Sequence, residues 1–170
     1  MIGKTMTAAR HGRKRYGQTV LLLSLAVLVL TLGRPPNAAT TEYVVVDRYT
    51  GLAILGFDPV AYFTDAAAMP GKGDHEYAYA GAVWRFHNAG NLAAFAANPE
   101  VYMPRFGGYD PVGIARGVAL PSDPRLWLVA GQRLYLFQTP QARAAFAADE
   151  DATLAAADRN WPAVQLTLSP

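Results

Sequence analysis

The sequence predicts an α+β protein: two repeated β-hairpin–helix units share one core, and a hydrophobic helix precedes them at the N-terminus. Three observations support this fold class. An apolar segment follows a basic stretch at the N-terminus, a pattern of about 50 residues occurs twice, and each copy has two β-prone runs followed by an alanine-rich helical run. The 170 residues suffice for one ordinary domain and a terminal segment. With 52% hydrophobic and 16% charged residues, the chain is not of the disordered class.

Residues 1–39 have the pattern of a signal peptide or a signal anchor. Six basic residues and no acidic ones occur here, and the hydrophobic helix predicted over about residues 16–33 carries no charge. Most of the positive charge precedes this helix, so the remainder of the chain is expected outside the cytoplasm, periplasmic or secreted. A cut after Ala38 or Ala39 would place Pro36 or Asn37 at the −3 position, where a small residue is preferred. Cleavage and retention as an inner-membrane anchor both stay open.

Charge and residue usage exclude several function classes. Residues 40–170 hold nine basic and thirteen acidic residues, so a nucleic-acid-binding surface is not expected. The chain has no cysteine, which excludes disulfides, thiolate metal sites and a cysteine nucleophile. No Gly-x-Ser-x-Gly motif occurs, so a serine hydrolase is not expected either.

Residues 40–50 are predicted to form a linker or arm, with a short β-prone run within residues 42–49. The repeat follows. Its landmarks recur at offsets of 50–52 residues: residues 56–60 with 108–112, Ala80-Gly81 with Ala130-Gly131, Phe86 with Phe137, and Phe95 with Phe146. Four landmarks in the same order indicate two copies of one unit.

Each copy has a hairpin and a capped helix. The first hairpin is predicted from residues 77–79 and 83–86, and its helix begins after Asn88. The second hairpin is predicted from residues 126–129 and 134–137, and its helix begins after Thr139. Both helices are expected to pack on one shared sheet. A last helix is predicted over residues 151–159, ending at Trp161-Pro162, with residues 163–170 as a C-terminal tail.

Many of these motifs resemble those of exported, single-domain YHS-domain proteins, over about residues 51–162. The matching positions are residues 56–63, residues 84–88, Phe95, Asn98-Pro99, Tyr102, Pro104, residues 106–109, Asp123-Pro124, Trp127, Gly131, residues 134–136 and residues 160–162. The family is often described as metal-associated, and shorter relatives bind metal through cysteines. The resemblance therefore implies a small exported domain with a possible metal function.

The sequence departs from this family at the position that follows Gly-Gly-Tyr. The family usually has cysteine there, whereas this chain has Asp110. A thiolate metal site is therefore absent, and the sequence predicts no cofactor. A metal ion is the cofactor that stays open.

Asp58 and Asp110 occupy equivalent positions in the two copies, each before a proline. As a converging pair they would hold a hard cation or serve as acid and base. The alternative is turn chemistry, in which each carboxylate accepts hydrogen bonds from main-chain N–H groups. A third Asp-Pro pair, Asp123-Pro124, favours this alternative.

The candidate metal ligands are His75, His87, Met103 and Asp110, with Glu76 beside the first histidine. Copper or zinc would accept such a set. No His-x-His or His-x₃-His spacing occurs, however, so no metal site is assigned from the sequence.

Aromatic residues are the other ligand-binding candidates. Tyr62, Phe106, Tyr109 and Trp161 would form a cleft between the two copies with Asp110 at its edge, suited to a small molecule or a peptide. Packing in the core is the alternative.

The sequence thus predicts an exported YHS-like binding or interaction module without enzymatic chemistry. Its partner, a protein or a small molecule, is not identified, and the N-terminal segment contacts the membrane if it is not cleaved. A metal-handling protein with oxygen and nitrogen ligands is the alternative. An acid–base enzyme using Asp58 and Asp110 is the third possibility.

Overall fold

The computed structural model describes residue 3 and residues 43–168, so the hydrophobic segment at residues 16–33 lies outside the described residues. Helices and antiparallel hairpins together confirm the predicted α+β class. Among residues 43–168, no helix combines the length and the apolar composition needed to cross a membrane.

The first copy of the repeat extends from a 3-10 turn to a short helix. Its elements are the turn Ile54–Gly56, α1 (Ala61–Thr64), β1 (Lys72–Tyr79), β2 (Ala82–Phe86), α2 (Ala89–Ala97) and α3 (Pro99–Tyr102). β1 pairs with β2 in antiparallel register, with an irregularity between Lys72 and Glu76. β1 therefore begins earlier than the residue pattern predicts.

The second copy has the same order of elements. They are the 3-10 turn Arg105–Gly108, α4 (Pro111–Ala115), β3 (Asp123–Ala130), β4 (Arg133–Phe137), α5 (Pro140–Ala148) and α6 (Glu150–Thr167). β3 and β4 are antiparallel, with an irregularity between Asp123 and Trp127 that matches the one in the first hairpin. The predicted caps are confirmed, since Asn88 accepts a hydrogen bond at the start of α2 and Thr139 does so at the start of α5.

The two hairpin turns align with an offset of 51 residues. The turn residues have positive φ angles in both copies: 52° and 78° at Ala80 and Gly81, and 52° and 61° at Gly131 and Gln132. Two successive positive φ angles are the signature of the tight hairpin turn that fits twisted strands. The predicted match of Ala80-Gly81 with Ala130-Gly131 is therefore wrong by one residue, because Ala130 is the last residue of β3.

The hairpins form two separate two-stranded sheets, so the prediction of one shared sheet is wrong. Side-chain packing joins the copies instead. Trp84, Phe86 and Phe95 are fully buried in a first hydrophobic cluster that also takes Leu134 and Leu136 from β4 of the second copy. A second hydrophobic cluster contains the buried rings of the second copy: Phe106, Tyr109, Tyr135, Phe137 and Phe146. Alternate side chains of β4 thus point to different clusters, as the period of a strand requires.

The arm before the first copy belongs to both clusters. Val44 is buried in the first cluster and Val45 in the second. Val45 also donates a hydrogen bond to the Gly107 carbonyl and accepts one from the Ile54 N–H, both at 2.8 Å. These bonds link the arm to the 3-10 turns of both copies. The arm forms an isolated bridge, Val46 with Ala53, within the β-prone run that the sequence indicates.

The last helix is longer than predicted. The sequence suggested an end at Trp161-Pro162, but α6 continues to Thr167 with Pro162 inside it. Proline removes one main-chain hydrogen bond from a helix. The burial of Val164 in the second cluster offsets that loss, since Val164 is 3% exposed. Residues 163–167 are therefore helical, although the sequence indicated a tail.

Candidate functional site

Asp58 is a buried carboxylate with four hydrogen-bond donors. Oδ1 accepts from the N–H groups of Val60 at 2.8 Å and Ala61 at 3.3 Å, at the start of α1. Oδ2 accepts from the His87 N–H at 2.8 Å and from the Asn91 side-chain amide at 2.6 Å. Asp58 is 0% exposed. The carboxylate thus ties α1 to the end of β2 and to the first turn of α2.

Asp110 makes the equivalent main-chain contacts in the second copy. Oδ1 accepts from the N–H groups of Val112 at 2.8 Å and Gly113 at 3.4 Å. Oδ2 accepts from the Gln138 N–H at 2.9 Å, as Asp58 does from His87. These contacts confirm the turn chemistry that the sequence offered as one interpretation of both aspartates.

The fourth contact distinguishes the two copies. Asn91 is the third residue of α2, and the third residue of α5 is Ala142. Alanine has no polar side-chain atom, so Asp110 has no counterpart to the amide that reaches Asp58. A carboxylate offers about four acceptor positions, and the contacts of Asp110 with Val112, Gly113 and Gln138 occupy three of them. Asp110 can therefore accept one further hydrogen bond on the side where Ala142 lies.

A cavity of about 310 Å³ lies at this position. Asp110 and Ala142 both line it, and Arg116, Gln138 and Gln141 supply polar side chains around them. The remaining lining residues come from α4, from α5 and from the segments beside these helices: Val112, Gly113, Leu120, Thr139 and Ala145. Its volume is at the lower end of the range for small-molecule sites, about 300–1,000 Å³.

The charges in this cavity are one carboxylate and one guanidinium. Asp110 is 1% exposed, whereas Arg116, the residue that follows α4, is exposed to solvent. Arg116 forms no ion pair with any carboxylate in the described part of the chain. A ligand in the cavity would therefore meet a hydrogen-bond acceptor at Asp110 and a charged donor at Arg116.

The aromatic candidates do not form one cleft with Asp110. Tyr62 is buried in the first cluster, where its ring meets Trp127 edge-to-face with centroids 5.4 Å apart. Tyr109 and Trp161 belong to the second cluster, with centroids 6.4 Å apart. None of these residues lines the cavity beside Asp110. Their packing accounts for their position in the fold.

Tyr62 is nevertheless chemically distinctive. Its hydroxyl donates a 2.8 Å hydrogen bond to the Pro124 carbonyl, which links the two copies. Burial raises the pKa of the Tyr62 phenol well above its usual range, and the nearby Asp123 and Asp58 carboxylates raise it further. The hydroxyl therefore stays protonated to higher pH than an exposed tyrosine does, and it serves as a donor inside the core.

The candidate metal ligands lie in different surroundings. His75 is near the Asp74 carboxylate, 3.9 Å from it, and the His87 ring lies 3.4 Å from the Pro70 carbonyl. Met103 packs against the first cluster, and Asp110 faces the cavity described above. Within residues 43–168, no group of three or more His, Asp or Glu side chains is placed to hold a metal ion.

A second cavity, of about 340 Å³, lies beside the 3-10 turn of the second copy. Arg105, Arg133 and Trp161 line it. The Arg105 guanidinium pairs with Asp158, and Arg133 donates a 2.8 Å hydrogen bond to the Glu100 carbonyl. Both arginines are thus held by other parts of the domain, and the cavity contains no buried charged group that lacks a partner.

Sequence reasoning selected Asp110 but missed the residues that make its surroundings different from those of Asp58. The helical spacing predicts that Ala142 faces inward, but an alanine there indicates packing rather than a ligand, and Arg116 belongs to no motif. The signal was present in the repeat, since an offset of 51 residues places Ala142 against Asn91. Its meaning depends on knowing that Asn91 contacts Asp58.

Comparisons with known proteins give no relative for this chain. No family model matches it, and no significant match occurs among curated proteins or solved structures.

Proposed function

We propose that this protein is an exported YHS-like binding module that holds a small ligand in the cavity beside Asp110 and does not convert it chemically. Residues 1–39 would direct the domain out of the cytoplasm, as a cleaved signal peptide or as an inner-membrane anchor. The resemblance of residues 51–162 to exported YHS-domain proteins supports the assignment of the module.

One observation carries the choice of site. Asp110 stands where the resembling family usually has cysteine, and it is the copy of the repeated carboxylate that faces a cavity with a hydrogen-bond position to fill. Asp58, its counterpart, already accepts four hydrogen bonds. A saturated carboxylate favours a structural role for Asp58, whereas Asp110 retains capacity for a ligand.

Binding is a better interpretation than acid–base catalysis by the two aspartates. A general acid or base must reach a substrate proton through its own carboxylate oxygen. Both oxygens of Asp58 accept hydrogen bonds from the protein, and the residue is fully buried. Asp110 would then act alone, with Arg116 as the neighbouring charge.

A screen by nuclear magnetic resonance tests this proposal. The full chain in a mild detergent is titrated with a library of small polar molecules while the main-chain amides of Val112, Gly113 and Gln138 are observed. We expect saturable shifts of these three signals. The matched control is Ala142→Asn, whose side-chain amide would donate to Asp110 as Asn91 donates to Asp58 and should remove the response. A library without any ligand that shifts these amides would refute the site.

Metal binding is measured in the same preparation. Titration with zinc or copper should leave the resonance of the Gln138 main-chain amide unchanged at metal concentrations that would saturate a tight metal site. Tight binding that is lost in Asp110→Ala or His87→Ala would favour the metal-handling alternative instead.

A further inference from the structure

We infer that the cavity beside Asp110 accepts a small molecule with a primary carboxamide group. This inference rests on the proposed function and specifies its ligand. The first copy of the repeat provides the evidence, because there a carboxamide already occupies the equivalent position: the Asn91 side chain donates to Asp58 Oδ2 at 2.6 Å. The second copy has the same acceptor and the same neighbouring N–H groups, but Ala142 in place of Asn91.

The acceptor geometry is conserved between the copies to within a few tenths of an ångström. The N–H two residues after the aspartate lies 2.8 Å from Oδ1 in both copies, and the N–H of the residue after the strand lies 2.8 Å from Oδ2 of Asp58 and 2.9 Å from Oδ2 of Asp110. The carboxylate of Asp110 is therefore oriented as that of Asp58 is. An external amide N–H can take the place that Asn91 takes in the first copy.

The charge of the cavity selects a neutral group. An ammonium group would be attracted to Asp110 but repelled by Arg116, and a carboxylate would experience the reverse. A carboxamide carries an N–H donor and a carbonyl acceptor on one carbon and has no net charge. Its N–H pairs with Asp110, and its oxygen accepts from Arg116 or from the side chains of Gln138 and Gln141.

The size of the cavity favours a free small molecule over a protein segment. A volume of about 310 Å³ exceeds what the missing atoms of one asparagine side chain would fill, so the ligand has room for a short body beyond its amide. Val112, Leu120 and Ala145 provide apolar lining for that body. A compact carboxamide with a few carbon atoms matches this lining.

The test uses three small probes with similar carbon chains: propionamide, propionate and propylammonium. Each is titrated into the full chain while the amides of Val112, Gly113 and Gln138 are followed by nuclear magnetic resonance. We expect propionamide to bind about tenfold more tightly than either ion, a difference of about 1.4 kcal/mol. The shifts should vanish in Ala142→Asn. Ala142→Leu, which obstructs the approach to Asp110 without supplying an amide, is the second variant and should abolish binding too.

The first copy supplies a gain-of-function control. Asn91→Ala removes the three heavy atoms of the internal carboxamide from Asp58, so formamide, which has the same three heavy atoms, should then shift the amides of Val60, Ala61 and His87. Equal affinity for the three probes, or propionamide binding that persists in both Ala142 variants, would overturn the inference. If other library members occupy the cavity while propionamide does not, the carboxamide inference fails and the proposed function stands. If no molecule binds there, both fail.

Discussion

The hydrogen bond between Asn91 and Asp58 is expected to stabilise the fold. Ala142 cannot form the equivalent bond to Asp110, so an asparagine at position 142 is expected to raise the free energy of unfolding. The paired substitutions Asn91→Ala and Ala142→Asn test both statements in one protein. The first makes α2 resemble α5, and the second makes α5 resemble α2. Because both positions are the third residue of a capped helix, effects of helix position cancel between the two variants.

The magnitude follows from the contact that changes. A hydrogen bond to a charged group contributes about 1.5–3 kcal/mol. Alanine is more favourable than asparagine within a helix by about 0.7 kcal/mol, and this difference opposes the loss in Asn91→Ala. Asn91→Ala should therefore lower the free energy of unfolding by about 1–2 kcal/mol. Ala142→Asn should raise it by about 1 kcal/mol, since the new side chain must also be ordered.

Urea unfolding of the full chain in mild detergent, followed by near-ultraviolet circular dichroism, measures these differences by linear extrapolation. An unchanged slope with urea would show that the change lies in stability and not in the unfolded state. A loss below about 0.5 kcal/mol in Asn91→Ala would refute the view that the amide stabilises the buried carboxylate. A destabilised Ala142→Asn protein would show that the Asp110 cavity cannot hold a tethered amide.

Three further predictions concern the rest of the domain. Phe95→Ala and Phe146→Ala should each lower the free energy of unfolding by about 3–5 kcal/mol, measured by the same urea experiment, because both rings are 0% exposed. The pKa of the buried Tyr62 phenol lies above its unfolded value near 10. Its contribution to the free energy of unfolding is therefore full below pH 10 and is lost as the pH rises through the folded-state pKa. Stability should fall less steeply above pH 10 in Tyr62→Phe than in the unmodified protein. Gly107→Ala should prevent stable folding, because a Cβ atom there would lie 1.8 Å from a main-chain oxygen. Gly131 has a similar positive φ but no atom within 4 Å of the Cβ position, so Gly131→Ala should lower the free energy of unfolding by only about 1 kcal/mol in the same assay.

The sequence was sufficient to find the repeat, the hairpins and the helix starts. These features depend on local patterns, such as Asn88 before α2 and Thr139 before α5, and local patterns survive without knowledge of the fold. The end of α6 was missed for the opposite reason. A proline predicts a helix end, but the burial of Val164 in the second cluster outweighs the hydrogen bond that Pro162 removes.

The arrangement of the two hairpins could not be predicted from their residues. Each hairpin is specified by its own turn and alternation, and nothing in those patterns states whether its edge pairs with the other hairpin. In the structure, Leu134 and Leu136 carry the second hairpin into the first cluster, so side chains rather than strand edges join the copies. Such contacts between residues far apart in the chain are invisible to a local pattern.

The candidate site could be predicted from the sequence only in part. The equivalence of Asp58 and Asp110 was predicted, and so was their turn chemistry. The contact that separates them joins residues 33 positions apart, so the difference between Asn91 and Ala142 acquires meaning only in the folded chain.

A repeated fold makes structural and ligand-binding roles separable within one molecule. Both copies need a carboxylate that ties a helix start to the end of a strand, and three main-chain contacts of this kind occur in each. The fourth contact adds stability but is not required for the connection, because the second copy forms the same elements without it. A side chain at that position can therefore be lost without loss of the fold, and what its loss leaves is a buried, oriented acceptor beside an open volume. If Ala142→Asn raises the free energy of unfolding, stability does not account for the alanine at position 142, whereas the proposed binding of a ligand in that volume does.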